Sequence, residues 1–486
     1  MTNNLVKGWE VVIGLEVHAQ ISSRAKLFSH SQTEFGADPN TQVNFYDAAM
    51  PGTLPVVNSF CIDQAIKSGF GINGTINKIS KFDRKNYFYP DQPSGYQISQ
   101  LYYPIVSGGY VDIDLPDGNQ KRIELERIHI EQDAGKSIHD LSPDYSYVDL
   151  NRAGIALMEI VSKPDMRSPY EAMQYVKKLR MILRYAKTCD CNMERGNLRV
   201  DANVSIRKPG EPLGTRVEIK NINSIRFLGQ ALEYEIERQI ILIESGEKVI
   251  QETRLFDANA GETRSMRSKE DAADYRYFPD PDLKPVVLTT ERIENLKKSM
   301  PELPDAKRTR FVSEYGLTIS DADVLIEDQD TADYFERALK ASKFKPSESA
   351  KLIANWMIGE LFAILNKEGK TIEHIGFPIE HISELVDLII DKTISGKIAK
   401  TVFANMTETM KNPKQIVEDL GLVQIQDDSV IRKVIEEIIS QNQSQVEQYK
   451  AGKIQLFGFF VGQSMKALQG KGNPEMVNEI LKELLA

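Results

Sequence analysis

Eleven residues near the N-terminus, Glu10 to Gln20 (EVVIGLEVHAQ), restrict what this chain can fold into more than any other stretch. Alternate residues of a strand face opposite sides, so Ile13, Leu15, Val17 and Ala19 fall on one face and Gly14, Glu16, His18 and Gln20 on the other. A half-buried antiparallel strand also alternates, but its wet side favours Thr, Lys and aromatic residues. Glu16 and His18 instead bring a carboxylate and an imidazole to one surface, two ligand types that can share a divalent ion.

The pattern recurs. In RIHIEQDAGK (127–136), Arg127, His129, Glu131 and Asp133 share a face opposite Ile128 and Ile130. In RVDANVSI (199–206), Arg199, Asp201, Asn203 and Ser205 oppose Val200, Ala202, Val204 and Ile206, and Arg216, Glu218 and Lys220 follow with the same polarity. These strands can share one sheet with a charged face. Because Asp and Asn are disfavoured in strands, their recurrence points to a site rather than a wet surface.

A chain of 486 residues has room for two to four domains. Hydrophobic residues at 41% and charged residues at 27% are globular values, and no apolar run approaches the ~18 residues that span a bilayer. The start, MTNNLVKGWE, carries neither a signal core nor a transit pattern, so the chain reads as a mature cytoplasmic protein with no membrane segment. Three cysteines, Cys61, Cys189 and Cys191, cannot supply a four-cysteine zinc site. A net charge of −10 argues against a generally basic surface, so any nucleic-acid contact must be local.

Along the chain, Ile62 to Ser68 reads as a helix ending in GFGING, whose Gly69, Gly71 and Gly74 satisfy GxGxxG. That match follows a helix rather than a strand, so capping and turn glycines are expected instead of a dinucleotide site. KFDRKNYFYPD (81–91) interleaves cations with rings. A hairpin is expected from Tyr110 through Pro116-Asp117-Gly118 to Ile130. Helices are expected over 168–187, with Ser168, Pro169 and Glu171 as its start signals, and over 224–245. Asp257 to Pro285, with Arg264, Arg267 and Tyr275-Arg276-Tyr277, reads as a long functional loop. Beyond about Glu294 the pattern is helical. The expected domains are 1–293, 294–407 and a tail, 408–486, in which Lys450, Lys453, Lys466 and Lys471 occur with no acid between Lys450 and Asn473.

GxxxxGK[ST], HExxH and GxSxG are all absent from the sequence. What remains is Glu16, His18, Glu131 and Asp201 projecting from one sheet, an oxygen-rich set that suits Mg²⁺ or Mn²⁺ beside a nucleotide phosphate.

Several long motifs in order, IGLEVHAQ, KFDRKNYFYPD, VDLNRAGIALMEIVSKPDMRSP, RVDANVSIR, EIKNINS, MRSKEDAADYRYFPDPDL and GFFVGQSMKALQGKGNP, resemble the B-subunit family of glutamyl/aspartyl-tRNA amidotransferases over essentially the whole chain. The resemblance implies an α+β fold: a glutamine-synthetase-like cradle with a mainly antiparallel sheet, then an all-α helical domain and a tail that contacts tRNA. It also implies an ATP-dependent ligase of translation with glutamine as amido donor. The side-chain carboxylate of Glu-tRNA(Gln) or Asp-tRNA(Asn) is phosphorylated and then amidated by ammonia. The implied partners are an amidase-type A subunit and a small C subunit, forming a heterotrimer, together with tRNA(Gln) or tRNA(Asn).

Carried over by position, the family's magnesium ligands fall on Glu16, His18, Glu131 and Asp201, with Glu16, His18 and Glu131 catalytic, and Lys85 matches a lysine of the ammonia route. Arg199, Arg216 and the four tail lysines are the expected phosphate and tRNA contacts. The chain departs from many members in two places. Gln132 follows Glu131 where a second glutamate is common, and LFSHSQTEFG and NFYDAAMPG lack a zinc knuckle's cysteines, so zinc is not expected. The rival expectation is a noncatalytic tRNA-binding scaffold, for which a divalent-ion face has no use.

Overall fold

The computed structural model describes residues 5–268, 274–425 and 427–485. The chain divides into two compact units, Met1–Pro304 and Asp305–Ala486.

The first unit is built on an eleven-stranded sheet. Its long strands are β1 (Trp9–Gln20), β4 (Gln120–Gln132), β5 (Ala156–Ser162), β6 (Leu198–Arg207), β7 (Val217–Ile222), β8 (Glu252–Asp257) and β9 (Glu262–Ser268). A smaller sheet holds β2 (Asp83–Asn86), β3 (Tyr96–Ser99) and β10 (Phe278–Pro279). The main order runs β9-β8-β7-β6-β1-β5-β4, then Val106–Ser107 and Thr75–Ile76. All of these neighbours are antiparallel except β7 with β8. The expected mainly antiparallel α+β architecture is therefore present.

β1 is central because its inward residues are greasy without exception. Val11, Ile13, Val17 and Ala19 are fully buried and Leu15 nearly so. Behind them lies α2 (Pro169–Tyr185), whose stripe of Ala172, Tyr175, Val176, Leu179 and Leu183 is likewise buried. Ser168 caps this helix by accepting from the Glu171 N–H, and Glu171 in turn accepts from the Arg167 N–H, one residue before the cap. α3 (Ile225–Glu244), capped by Ser224, packs on α2 and on β6. Each Val, Leu or Ile buried here contributes roughly 1.5–3 kcal/mol.

Two local expectations are corrected. The GFGING glycines are neither caps nor turn glycines for the most part: Gly69 and Gly71 lie inside α1 (Ser59–Gly71). A Cβ on Gly69 would meet Ile76 Cδ1 and Val106 Cγ2 at 2.7 Å, and one on Gly71 would meet Ile182 Cγ2 at 2.6 Å. Glycine is there because neighbours approach the helix closely. The stretch from Asp257, expected as a loop, instead turns back as the hairpin β8–β9 at the sheet's edge. Asp257 Oδ1 accepts from the N–H groups of Asn259 and Ala260, and Gly261 at φ +71° completes the turn. β9 (ETRSMRS) has almost no apolar alternation, so its strand character comes from the ladder rather than from a greasy face. Residues 269–273 of that stretch lie outside the described residues.

The second unit is helical. Helices at Pro304–Tyr315, Gln329–Ala341, Glu380–Ile390, Gly396–Thr409, Asp428–Gln441, Leu456–Ala467 and Pro474–Leu485 follow the expected periodicity. Ile319–Ile326 adds a helix the sequence reading did not place, and the run from Pro346 to Glu368 passes through a π-helical turn at Met357–Leu361. Ile431, Ile435, Phe460, Val477 and Leu481 form a separate core at its C-terminal end. No helix among the described residues is long and apolar enough to cross a membrane.

The loops after β1 are tied by a wholly buried ion pair. Lys26 Nζ donates to Asp47 Oδ2 at 3.0 Å and to the Leu150 carbonyl at 3.2 Å. Burial pulls the Lys26 ammonium's pKa down while the Asp47 charge opposes it. Asp47→Ala, which strands that ammonium, should lower stability by about 3–5 kcal/mol. Lys26→Met combined with Asp47→Leu should recover much of this in urea denaturation; an unchanged midpoint for Asp47→Ala contradicts the assignment.

Candidate metal centre

Strand register decides which charged groups meet. Arg199 of β6 lies opposite His18 of β1, Glu159 of β5 lies opposite the same His18, and His129 of β4 lies opposite Glu159. One rung thus reads Arg199, His18, Glu159, His129 across four strands. The next rung holds Asp201 opposite Glu16, and Glu131 projects from β4 opposite Leu157.

His18, Glu131 and Glu159 converge, each offering one ligand atom within 4.8 Å of the others. His18 Nε2 lies 3.5 Å from Glu131 Oε1 and 3.5 Å from Glu159 Oε2. His129 Nε2 is 3.1 Å from Glu159 Oε2 and 3.7 Å from Glu131 Oε2. Two carboxylates this close repel, and the imidazoles between them supply the compensating charge. Burial lowers the His129 pKa, but the Glu159 and Glu131 carboxylates outweigh it and raise it to about 9. His18 is shifted up by the same balance of burial against Glu159 and Glu131. Glu159 is held well below the usual carboxylate range: its burial raises it, but both imidazolium charges dominate.

Glu16 is pushed the other way. Burial raises its pKa, the charges of Glu159, Glu218 and Asp201 add to this, and Lys220 opposes it. Asn203 Nδ2 donates to Glu16 Oε1 at 3.0 Å. Asp201 accepts from Lys220 Nζ, which also reaches Glu218 Oε1 at 3.0 Å. Arg199 Nη2 donates to Asp133 Oδ1 at 3.0 Å, and Arg152 flanks the same carboxylate.

An aromatic wall stands beside the cluster. Asn86 of β2 donates through its backbone and side chain to the Tyr275 carbonyl, fixing the 275–277 segment there. Lys85 Nζ lies 4.9 Å from the Tyr275 ring centroid and 5.8 Å from that of Tyr87. Burial, then the Glu131 charge, raises the pKa of both Tyr87 and Tyr277.

Of the four ligands expected from sequence, the fold brings His18 and Glu131 together and sets Glu16 and Asp201 one rung away. The carboxylate that completes the triangle, Glu159, was missed. Its signal is faint but present: it is the sole charged residue in IALMEIVS, a run otherwise fit for a strand buried on both faces. Gln132, adjacent to Glu131 and so on the opposite side of β4, lines a different cavity with Tyr46, Gln92 and Tyr96. Arg216 is exposed at the sheet's flank. In the tail, Lys450, Lys453 and Lys466 are exposed, Lys471 is half-buried, and none of the four forms an ion pair among the described residues.

Hard carboxylate oxygens with one imidazole suit Mg²⁺ or Mn²⁺, and an ion must displace a proton from His18. Because the His18 pKa is raised in the ion-free protein, affinity for Mn²⁺ should climb with pH, by up to about tenfold per unit while His18 remains protonated. Calorimetry in two buffers of different ionisation heat should register the released proton; equal heats and pH-independent affinity contradict the site.

Comparison with known proteins places this geometry in context. Residues 11–294 match the model described as the GatB/GatE catalytic domain, and residues 333–485 match the model described as the GatB domain. A Rickettsia bellii protein named as the B subunit of an aspartyl/glutamyl-tRNA(Asn/Gln) amidotransferase is 58% identical over 477 residues, covering 98% of each chain. A Zymomonas mobilis protein of the same name is 57% identical over 478 residues, covering 98% of this chain and 97% of its own.

Proposed function

The chain belongs to the family of aspartyl/glutamyl-tRNA(Asn/Gln) amidotransferase B subunits, and from that membership and the sheet-face geometry we propose an ATP-dependent amidation of aminoacyl-tRNA centred on the His18, Glu131 and Glu159 cluster. It is a subunit of a tRNA-dependent amidotransferase. The carrying observation is the convergence of those three ligand atoms within 4.8 Å on a partly buried strand face rich in acids.

The residues fit a hard divalent ion: two carboxylates and a neutral imidazole can hold it, with Glu16 and Asp201 on the adjoining rung able to take a bridging water or a second ion. When bound, Mg²⁺ neutralises charge on the nucleotide's terminal phosphates. The side-chain carboxylate oxygen of Glu-tRNA(Gln) or Asp-tRNA(Asn) then forms a bond to the terminal phosphorus, and ADP leaves. Ammonia nitrogen attacks the acyl carbon, phosphate departs, and the nitrogen sheds a proton to give the amide. The mixed anhydride turns a poor leaving oxygen into a good one.

Each local feature serves a step of this reaction. Arg199, tied to Asp133, sets a guanidinium opposite His18 where phosphate charge must be matched. The Tyr87, Tyr275 and Tyr277 wall keeps bulk water from the reactive acyl carbon, and Lys85 beneath Tyr275 marks the route by which ammonia enters. That ammonia comes from glutamine through an amidase-type A subunit, with a small C subunit completing the heterotrimer in the cytoplasm. The tail from about residue 408 holds the tRNA body while the cradle takes its 3′ end.

Glu159→Gln, Glu16→Gln and Asp201→Asn should each lower tRNA-dependent amidation at least about a hundredfold, since several kcal/mol of charge stabilisation are lost. Glutamine hydrolysis by the partner subunit should persist. Wild-type amidation in all three variants refutes the assignment. A noncatalytic scaffold predicts that same outcome.

Replacing Lys450, Lys453, Lys466 and Lys471 by Gln should weaken tRNA binding and flatten its salt dependence by about one unit of slope for each phosphate no longer neutralised. Identical affinity and slope reduce these lysines to a solvated face.

A further inference from the structure

β4 changes face partway along its length. Ile123 and Leu125 are buried in the core, and so are Ile128 and Ile130, so the inward side switches from odd to even residues between them. The switch is a β-bulge: Val161 of β5 pairs with Arg127 and Ser162 with Leu125, which leaves Glu126 as the extra residue. An unbroken strand would turn Arg127, His129 and Glu131 into the core. With the bulge, all three stand on the charged face.

Arg127 has no part in the ion-pair cluster built by His129 and Glu131. Its side chain is 24% exposed, and its Nε is buried with no hydrogen-bond partner among the described residues. The carboxylate in reach is Glu126 Oε1, 3.7 Å from Nη1 on a side chain that is 58% exposed, a contact worth little beside water. Arg199 and Lys220, by contrast, are committed to Asp133 and to Asp201 with Glu218. A buried donor left without an acceptor is destabilising, unless a ligand supplies that acceptor.

Placement says which acceptor. β4 borders the small sheet that carries the aromatic wall: Gln97 of β3 donates to the Gln132 carbonyl, and Gln100 just beyond it accepts from the Ile130 N–H. Burial, Glu131, Glu159 and Tyr275 all raise the Tyr277 pKa, and Arg127 works against them, so its guanidinium lies within electrostatic reach of the Tyr277 hydroxyl. A substrate carboxylate brought beside the wall and the triangle approaches a face already crowded by Glu16, Glu131, Glu159, Asp201 and Glu218. It needs a loosely held cation, and the planar fork of a guanidinium matches two carboxylate oxygens at once. A carboxamide offers that fork one acceptor and turns N–H donors toward it.

We infer that Arg127 binds the side-chain carboxylate of the aminoacyl ester, so that it selects acid over amide and turns one oxygen toward the terminal phosphorus of the donor. The inference rests on the ATP-dependent reading above and adds the residue that recognises the acceptor. It also accounts for release, since the amidated side chain no longer fills the fork.

The test uses the assembled amidotransferase and compares affinity for Glu-tRNA(Gln) with affinity for its amide, Gln-tRNA(Gln). Arg127→Met removes the guanidinium and keeps an apolar stem. It should raise KM for the acidic aminoacyl-tRNA at least about tenfold and abolish the preference for acid over amide. Affinity for uncharged tRNA, for ATP with Mg²⁺ and for Mn²⁺ alone should not fall. Wild-type KM and preference in Arg127→Met overturn the inference. So does weaker ATP binding with the preference intact, since the guanidinium then serves the phosphates. A wild-type enzyme that shows no preference for the acid overturns it as well. Should Arg127→Met fail to fold, Arg127→Gln keeps a polar group at the bulge and carries the same expectation and the same refutation. A wild-type enzyme that turns over no ATP on misacylated tRNA sinks the ATP-dependent reading itself, whereas normal amidation by Arg127→Met sinks the Arg127 assignment alone.

Discussion

The site depends on one constraint: the register of β1 against β5 and β6. With a side-chain period of two, a slip of one residue on β1 would turn Glu16 and His18 into the core and expose Val17 and Ala19. The complete burial of Val11, Ile13, Val17 and Ala19 against α2 and its neighbours makes that slip prohibitive. The hydrophobic face therefore fixes where the charges go. Glu159 stands between His18 and His129 because the ladder leaves it no other rung.

Such a face is costly on its own. Glu16, Glu131, Glu159, Asp201 and Glu218 crowd a partly desolvated surface, and the raised pKa of Glu16 records its burial and then the charges of Glu159, Glu218 and Asp201. The fold answers with cations: Arg199 on Asp133 beside the crowded acids, and Lys220 between Asp201 and Glu218 among them. Burial works against charge on the two imidazoles, but the Glu159 and Glu131 carboxylates outweigh it and raise both pKa values. A divalent ion would relieve the same repulsion at once. The half-buried rings of Tyr87, Tyr275 and Tyr277 stand beside these groups, and low local polarity strengthens charge interactions.

Much of this was legible in the sequence, for physical reasons that differ by element. β1 and β6 alternate fully, so their faces could be read without a partner. α2 announced itself through Ser168, Pro169 and Glu171. β5 hid its role, since a strand buried between two others reads as a plain apolar run and its single acid looks incidental. Only the pairing of β5 with both β1 and β4 shows Glu159 as the third member of the triangle. β9 was invisible because edge strands need no greasy face. The GFGING glycines misled because close packing by Ile182 and Val106, residues distant in sequence, sets their identity. Glu16 and Asp201 were rightly placed on the charged face, but sequence could not show that they sit a rung from the triangle, with Asp201 engaged by Lys220.

The most direct measurement of the central claim is anomalous diffraction from crystals of the full-length chain grown with Mn²⁺. The account predicts a peak bonded to His18 Nε2 and to one oxygen each of Glu131 and Glu159, at about 2.0–2.3 Å. A second, weaker peak near Glu16 and Asp201 is compatible with it. No peak in the triangle, with Mn²⁺ bound at Glu16 and Asp201 alone or nowhere on this sheet face, would contradict it.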